Sequence, residues 1–388
     1  MSIPVSITRC PAYKIHELET AVAEAIEQAG GLDVRGKRVL LKPNILRDAA
    51  AERAISTHPE FVRAVIRYVK SAGATRIMVG DSPGVHRGDF DGRSCGIRQV
   101  TDEEKAEWVD FKRGKREFEV DSPLIESSFQ LTAVLDEADV IISLPKLKTH
   151  EFMYYTGAMK NLYGLIPGYA KAGLHVKYPG RKEFAQMLVD LQQALQKTHS
   201  VFAVMDAVIG MEGPGPGNGF PRSVGAVLAS GSCFALDLAA SRLIGYDPNS
   251  IPALHSAYGV LDKIQNSEDY ELRGLSIEQA RPERFELAGG SRRDTRGAPR
   301  RGPLARFLLR FRFFKNLEIR SRPAPQFDHT KCIRCGECVA ICASRALTFS
   351  EVSGHEPQQR MIQLDESKCI RCYCCHEICP VEAITIPR

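Results

Sequence analysis

Apolar residues follow two alternating patterns over the first 290 positions of the chain. Short runs rich in Val, Ile and Leu predict strands at Val5–Thr8, Arg38–Leu41, Arg76–Gly80, Val140–Leu144, Val201–Met205 and Val224–Ala229. Between them, stretches with helical spacing predict helices at Glu17–Ala29, Pro59–Ser71, Glu183–Lys197 and Ala235–Ile244. The second helix has a plain start, with Thr57 or His58 as cap and Pro59 at the first helical position, where a missing N–H costs little. Strands alternating with helices give an α/β domain, a largely parallel sheet flanked by helices. Val85–Glu126 is polar and weakly periodic, apart from a short strand expected within Lys105–Phe111, and reads as elaboration on one sheet edge.

The strand ends carry the candidate chemistry. In an open parallel sheet, ligands bind beyond the carboxyl ends of the strands. Here those ends run into Lys42-Pro43-Asn44, Asp81-Ser82, Lys146-Leu147-Lys148-Thr149-His150, and Asp206 followed by the Gly/Pro-rich stretch 210–219 with Glu212. A second distinctive stretch, Thr156–Gly168, holds Lys160, Asn161 and Tyr163 and is followed by Lys171 and His175; its Gly, Pro and Asn predict looped backbone. If the four ends converge, Lys42, Lys146, Lys148, Lys160 and Lys171 line one crevice suited to a carboxylate or phosphate ester. Lys146, Lys148, His150 and Lys160 are the candidates for acid or charge-stabilising roles. Lys42, Asn44, Asp81, Asn161, Asp206, Glu212 and His175 are the candidates for holding a ligand or cofactor. The three acids among them would bind a metal, act as bases or pair with the lysines. The plainer alternative is that polar residues end strands and lysines stay solvated. No Gly-Lys-Ser/Thr follows 210–219, no G-x-G-x-x-G opens a helix and no H-E-x-x-H occurs, so Walker, Rossmann and zincin sites lack support.

Charge alters the picture at one place. The chain's net +5 is unevenly spread: residues 291–322 hold ten Arg and one Lys against Asp294 and Glu318, a local net of +9. Within it, residues 304–320 form a basic amphipathic pattern, read as a linker helix at 291–325, with peripheral membrane contact or an acidic partner as alternatives. The apolar Leu304, Phe307, Leu308, Leu309, Phe311, Phe313 and Phe314 favour docking on the α/β domain at 1–290. No nucleic-acid motif accompanies the arginines, so no nucleic acid is expected. No run of about 18 apolar residues occurs, so no membrane span is expected; the start MSIPVSITRC shows no export signal, which argues against disulfides.

Nine of the twelve cysteines lie in the remaining stretch, 326–388. Leaving Cys374 aside, they form two C-x2-C-x2-C-x3-C runs, the second followed by Pro380. Three thiolates of each run reach one cubane and the fourth reaches the other cluster. Cys332, Cys335, Cys338 and Cys379 should hold one 4Fe-4S cluster, and Cys369, Cys372, Cys375 and Cys342 the second. Zinc takes ligands in pairs, not interlocked fours. The exposed type of cluster implied by the cysteines makes a cytoplasmic setting the expectation. Ala343 replaces the usual Pro of the first run, and Cys374 is one sulfur too many. The expected C-terminal unit is a small α+β two-cluster ferredoxin-like domain.

Taken in order, KPN (42–44), DSPG (81–84), LPKLKTH (144–150), GAMKNLYGLIPG (157–168), GMEGPGPGNG (210–219) and CIRCYCCHEICP (369–380) give a resemblance. The chain resembles the iron–sulfur proteins grouped under domain of unknown function 362, with an appended two-cluster ferredoxin module. The α/β part is similar, more distantly, to nickel-pincer lactate racemases. The resemblance implies a redox protein without naming a substrate. The expected function is an oxidoreductase passing low-potential electrons to an anionic small molecule or cofactor in the crevice, served by a redox partner protein. The rival is an electron carrier or adaptor whose α/β domain performs no chemistry. The sequence neither supports nor excludes flavin, and no motif calls for a further metal.

Overall fold

The computed structural model describes residues 2–47, 49–83, 91–168, 170–288, 318–351 and 360–387. Its first part is built on a ten-stranded sheet. In chain order come β1 (Ile3–Arg9), β2 (Arg38–Pro43), β3 (Arg76–Val79), β4 (Glu107–Trp108), a separate hairpin of β5 (Lys115–Glu119) and β6 (Ser128–Thr132), then β7 (Val140–Leu144), β8 (Lys146–His150), β9 (Tyr154–Thr156), β10 (Ser200–Glu212), β11 (Phe220–Ser230) and β12 (Tyr270–Gly274). The lateral order is β12-β1-β11-β10-β7-β2-β3-β4, with β8 beside the far end of β10 and β9 beside β8. Within this sheet only β11 and β9 run against the rest, so it is largely parallel, as expected.

Successive side chains of a strand point to opposite faces, and that alternation sorts the core into two layers. Leu41, Ile142 and Val204 pack on α1 (Ile15–Gln28), α2 (Pro59–Ser71) and α3 (Ile97–Glu103). Leu40, Ile141 and Met205 face α4 (Ala158–Asn161), α6 (Arg181–Gln196) and α7 (Cys233–Leu243), with α5 (Ala170–Lys177), α8 (Pro252–Ala257) and α9 (Ile277–Ala280) on the same side. His58 is the cap of α2, its ring accepting from the Glu60 N–H.

Lys146–His150, which follows the predicted strand Val140–Leu144, forms a further strand, β8, paired with the long β10. One expectation needs correcting: 157–168 is not looped backbone, since Ala158–Asn161 is helical, the next turn is 3-10, and Met159 and Leu162 are buried. Asp237 from α7 explains the difference. Its carboxylate accepts the Ala158 and Met159 N–H groups at 2.7 and 2.9 Å and the Tyr155 hydroxyl at 3.0 Å, fastening a helix too short to stand alone.

The C-terminal part contains β13 (Gln326–Phe327), α10 (Glu337–Ile341), β14 (Leu347–Glu351), β15 (Arg360–Leu364), α11 (Cys374–Ile378) and β16 (Ile384–Thr385), with β13 paired to β16 and β14 to β15. Its two cysteine runs have matching backbones. Arg334 and Arg371, Gly336 and Tyr373, Arg345 and Glu382 all have positive φ at equivalent positions. The unit docks on the turn between β10 and β11. Asn218 donates to the His376 carbonyl at 3.2 Å, and a Cβ at Gly217 would collide with the Glu377 carbonyl. The glycine run is a seat for this unit. The basic residues 304–314 and their expected docking lie outside the described residues; the described end of that stretch buries Ile319 and Arg322, and Arg322 donates to the Pro179 carbonyl at 2.8 Å.

Candidate functional site

Beyond the carboxyl ends of β2 and β3 lies a cleft of about 780 Å³ of atom-free space, its open mouth included. The α/β part contributes Lys42, Asn44, Asp81, Lys160, Asn161, Lys171 and His175; the C-terminal part contributes Ile341, Cys374, Glu377 and Ile378. Sequence order hid this second wall: α11 follows the cleft's other residues by some two hundred positions, and no pattern in it announces a contact with β2.

Three of the polar side chains are committed to one another. The Lys42 amine reaches Asp81 at 2.7 Å, the Pro43 carbonyl at 2.8 Å and the Asn161 Oδ1 at 3.0 Å, filling its three donors. Asp81 also accepts from the Ile45 and Ser82 N–H groups, and Asn161 donates to the Lys42 carbonyl and the Ser143 hydroxyl. Gly164 lets this knot close, because a Cβ there would strike both Asp81 and Lys42. These residues shape the cleft floor; Asp81 pairs with a lysine, one of the roles expected of it.

Others are less satisfied. Lys160 has no hydrogen-bond or ion-pair partner among the described residues. Lys171 donates to the Ser82 carbonyl, and burial brings its pKa down to about 7, against the opposing pull of Asp81. His175 is stacked on Phe184 with its buried Nδ1 unpartnered, and burial lowers its pKa to about 3. Asn44 has a buried, unpartnered Oδ1. Glu377 is pushed up by burial, with Lys160 and Lys148 opposing the shift.

Lys148 and His150 sit behind the cleft wall. The Lys148 amine donates to the Ile55 carbonyl at 2.6 Å, and burial depresses its pKa strongly. His150 accepts the Phe152 N–H at 3.1 Å and the Met153 N–H at 3.3 Å through Nδ1, so in neutral imidazole Nε2 carries the proton. That atom lies 3.4 Å from Glu377, near enough for attraction but without hydrogen-bond geometry.

The pH dependence of Lys171 has a definite sign. The unfolded chain keeps this proton up to about 10.5, whereas the folded chain releases it near 7. Between those values unfolding takes up a proton, so this group makes stability rise with pH. Urea unfolding of wild type and Lys171→Met at several pH values is expected to give a difference that climbs from about pH 7 and levels near pH 10.5. A flat difference would contradict a buried amine here.

The expected convergence of four strand ends fails. Lys42 shares the strand face of Leu40, whereas Asp206 shares that of Val204 and Lys146 points away from Leu147, so the pairs Lys42–Asp81 and Lys146–Asp206 lie on opposite faces. Lys146 meets Asp206 at 2.9 Å and the Tyr13 hydroxyl at 2.6 Å; Asp206 also accepts the His58 N–H at the start of α2. Glu212 pairs with Arg222 and accepts the Glu286 N–H, away from the cleft. Tyr13, His58 and Asp237 carry these networks and were missed; only the cap position of His58 was visible in the pattern.

The cysteines surround volumes. Cys332, Cys335, Cys338 and Cys379 line one cavity, and Cys338 is pushed up to about 12 by burial and by its three thiol neighbours. Cys375 is raised by burial and by Cys372, Cys369, Cys338 and Cys342. Cys342 and Cys379, the last of each run, accept the Ala346 and Ala383 N–H groups through sulfur, a bond that favours a ligand thiolate. Among the described residues no three His, Cys, Asp or Glu side chains converge on a single ion. Thiols spread around a volume fit a cubane.

Comparison with known proteins agrees. The family described as domain of unknown function (DUF362) matches residues 39–242, and a 4Fe-4S dicluster domain matches 331–383. The C-terminal part therefore carries two 4Fe-4S clusters and serves electron transfer. The thylakoid-associated protein sll1697 of Synechocystis sp. is 34% identical over 254 residues, 64% of this chain and 77% of that protein. Among solved structures, a Thermotoga maritima protein matches with 12% identity and a TM-score of 0.36, covering 56% of this chain and 55% of that one. The lactate racemase apoprotein from Thermoanaerobacterium thermosaccharolyticum matches with 15% identity and a TM-score of 0.39, covering 62% and 56%. The chain spans about half the length of either structure. No helix among the described residues is long and apolar enough to cross a membrane.

Proposed function

The chain belongs to the DUF362 family, a domain of unknown function, and we propose that this member is an iron–sulfur oxidoreductase whose electrons reach a small anionic molecule in the cleft. One observation carries the reading: Cys374, Glu377, Ile378 and Ile341 of the cluster domain wall the same cleft as Lys160, Lys171 and His175. We assign Cys332, Cys335, Cys338 and Cys379 to one cluster and Cys342, Cys369, Cys372 and Cys375 to the other. Such clusters supply one-electron transfer at potentials from about −700 to +450 mV. Ile341, Cys374 and Ile378 of the cleft wall pack against Cys372 of the second set, which supports that set as the nearer to the cleft. Ile333, beside Cys332, is 60% exposed and suits contact with a redox partner protein. Lys160 supplies an ammonium group to the ligand, and Lys171, whose pKa burial brings down to about 7, can give or take a proton. Lys148 and His150 act through Glu377, and Lys146 supports the fold. The setting is cytoplasmic. The name of the Synechocystis relative, a thylakoid-associated protein, keeps peripheral membrane contact through 304–320 as an alternative.

A specific observation favours the carrier reading: Lys42, Asp81 and Asn161 are spent on one another and leave few groups for chemistry. The test is anaerobic purification, mass spectrometry of any small molecule released, and reoxidation of the dithionite-reduced protein by that molecule. An enzyme loses about 100-fold or more in reoxidation rate on Lys160→Ala with iron unchanged. A carrier releases nothing and reduces artificial acceptors equally with either residue.

A further inference from the structure

The charged groups of the cleft limit what it can hold. Lys42 and Asp81 cancel, and each is saturated by close partners. Lys171 already donates to the Ser82 carbonyl, and Tyr163 donates to the Lys171 carbonyl at 2.7 Å. That leaves Lys160, partly exposed, as the one cleft ammonium group without a hydrogen-bond or ion-pair partner among the described residues. Among the described residues a second negative charge on a ligand would find only Lys171, whose amine is already drawn to the Ser82 carbonyl and whose burial favours the neutral form. It would otherwise face the Glu377 carboxyl in the lining, since the charge of Asp81 is already balanced by Lys42. The rest of the wall near the cluster domain is apolar: Leu46, Ile341 and Ile378.

We propose that the cleft takes a small monoanion, a carboxylate with a short apolar body, its charge on Lys160 and its body against Leu46, Ile341 and Ile378. This rests on the cleft being the acceptor site and narrows what it accepts. Nucleotides, dinucleotides and phosphate esters carry too much charge for one free ammonium group, and a compact point charge such as Lys suits a single carboxylate. Desolvation strengthens the contact, because Cys374 and the two isoleucines displace water from around the ion pair.

The experiment uses the oxidised holoprotein, in air-free buffer at constant ionic strength, with propionate, inorganic phosphate or ADP as probes. Thermal unfolding is followed for wild type, Lys160→Gln and Lys160→Arg. The quantity read is the ligand-induced shift of wild type minus that of Lys160→Gln, which removes the general salting effect of phosphate. Propionate is expected to give a difference of about 2–4 °C near saturation, retained in Lys160→Arg, and phosphate and ADP none. A difference as large with phosphate or ADP, a propionate shift that survives Lys160→Gln, or no shift with any probe would overturn the proposal. No reductant is present, so binding is read apart from electron transfer. A propionate difference in a protein that reduces nothing defeats the oxidoreductase reading and leaves this one standing.

Discussion

Cys375→Ala protein purified without air is expected to hold about four irons per chain where the wild type holds about eight, and Cys374→Ala about eight. The two substitutions are one residue apart, so the contrast tests the ligand assignment and not local damage. Cys375 is the counterpart of Cys338, third in its run, and its thiol faces Cys372, Cys369 and Cys342. Cys374 is the counterpart of Glu337, a position with no ligand role in the first run, and its side chain lines the cleft. Iron and acid-labile sulfide measured on both variants decide the matter. If Cys374→Ala loses half the iron and Cys375→Ala none, the assignment is reversed.

The element pattern was legible because most strands and helices are long and well signalled. Pro59–Ser71 was placed to the residue, and Val140–Leu144 likewise. What failed was sidedness. In a half-exposed strand, alternation tells which way each side chain points, but β2 and β10 are buried on both faces and read as continuous apolar runs. Lys42 two places after Leu40 and Asp206 one place after Met205 therefore looked alike at the strand ends, although they point to opposite layers. The cleft's second wall was illegible for another reason. Glu377 and Cys374 reach it through docking of a unit distant in sequence, and that docking depends on the shape of the 213–219 turn. The cysteine spacing, by contrast, encodes its own geometry within a few residues, and the two-cluster domain could be read directly from it.

The Lys146–Asp206 pair was expected to carry activity; it is now expected to carry stability. Both side chains are almost fully buried, on the layer opposite the cleft, at 2.9 Å from each other. Asp206 accepts from Tyr13 at 2.8 Å, the His58 N–H at 2.9 Å and the Val208 N–H at 3.3 Å, so it ties β10 to the entry of α2. Removing it leaves Lys146 with the Tyr13 hydroxyl alone, and leaves the His58 N–H without its acceptor. Breaking a buried pair on one side costs about 3–5 kcal/mol, and Asp206→Ala should lie at the upper end of that range. Lys146→Met should cost less, because the Asp206 carboxylate keeps three donors and burial already disfavours the lysine's charge. Chemical unfolding of the oxidised holoprotein, followed by far-ultraviolet circular dichroism, measures both. Iron content and reoxidation of the folded variants are expected to match the wild type, since neither residue lines the cleft. A Lys146→Met protein that is fully stable but inactive would return this lysine to the chemistry and overturn its structural role.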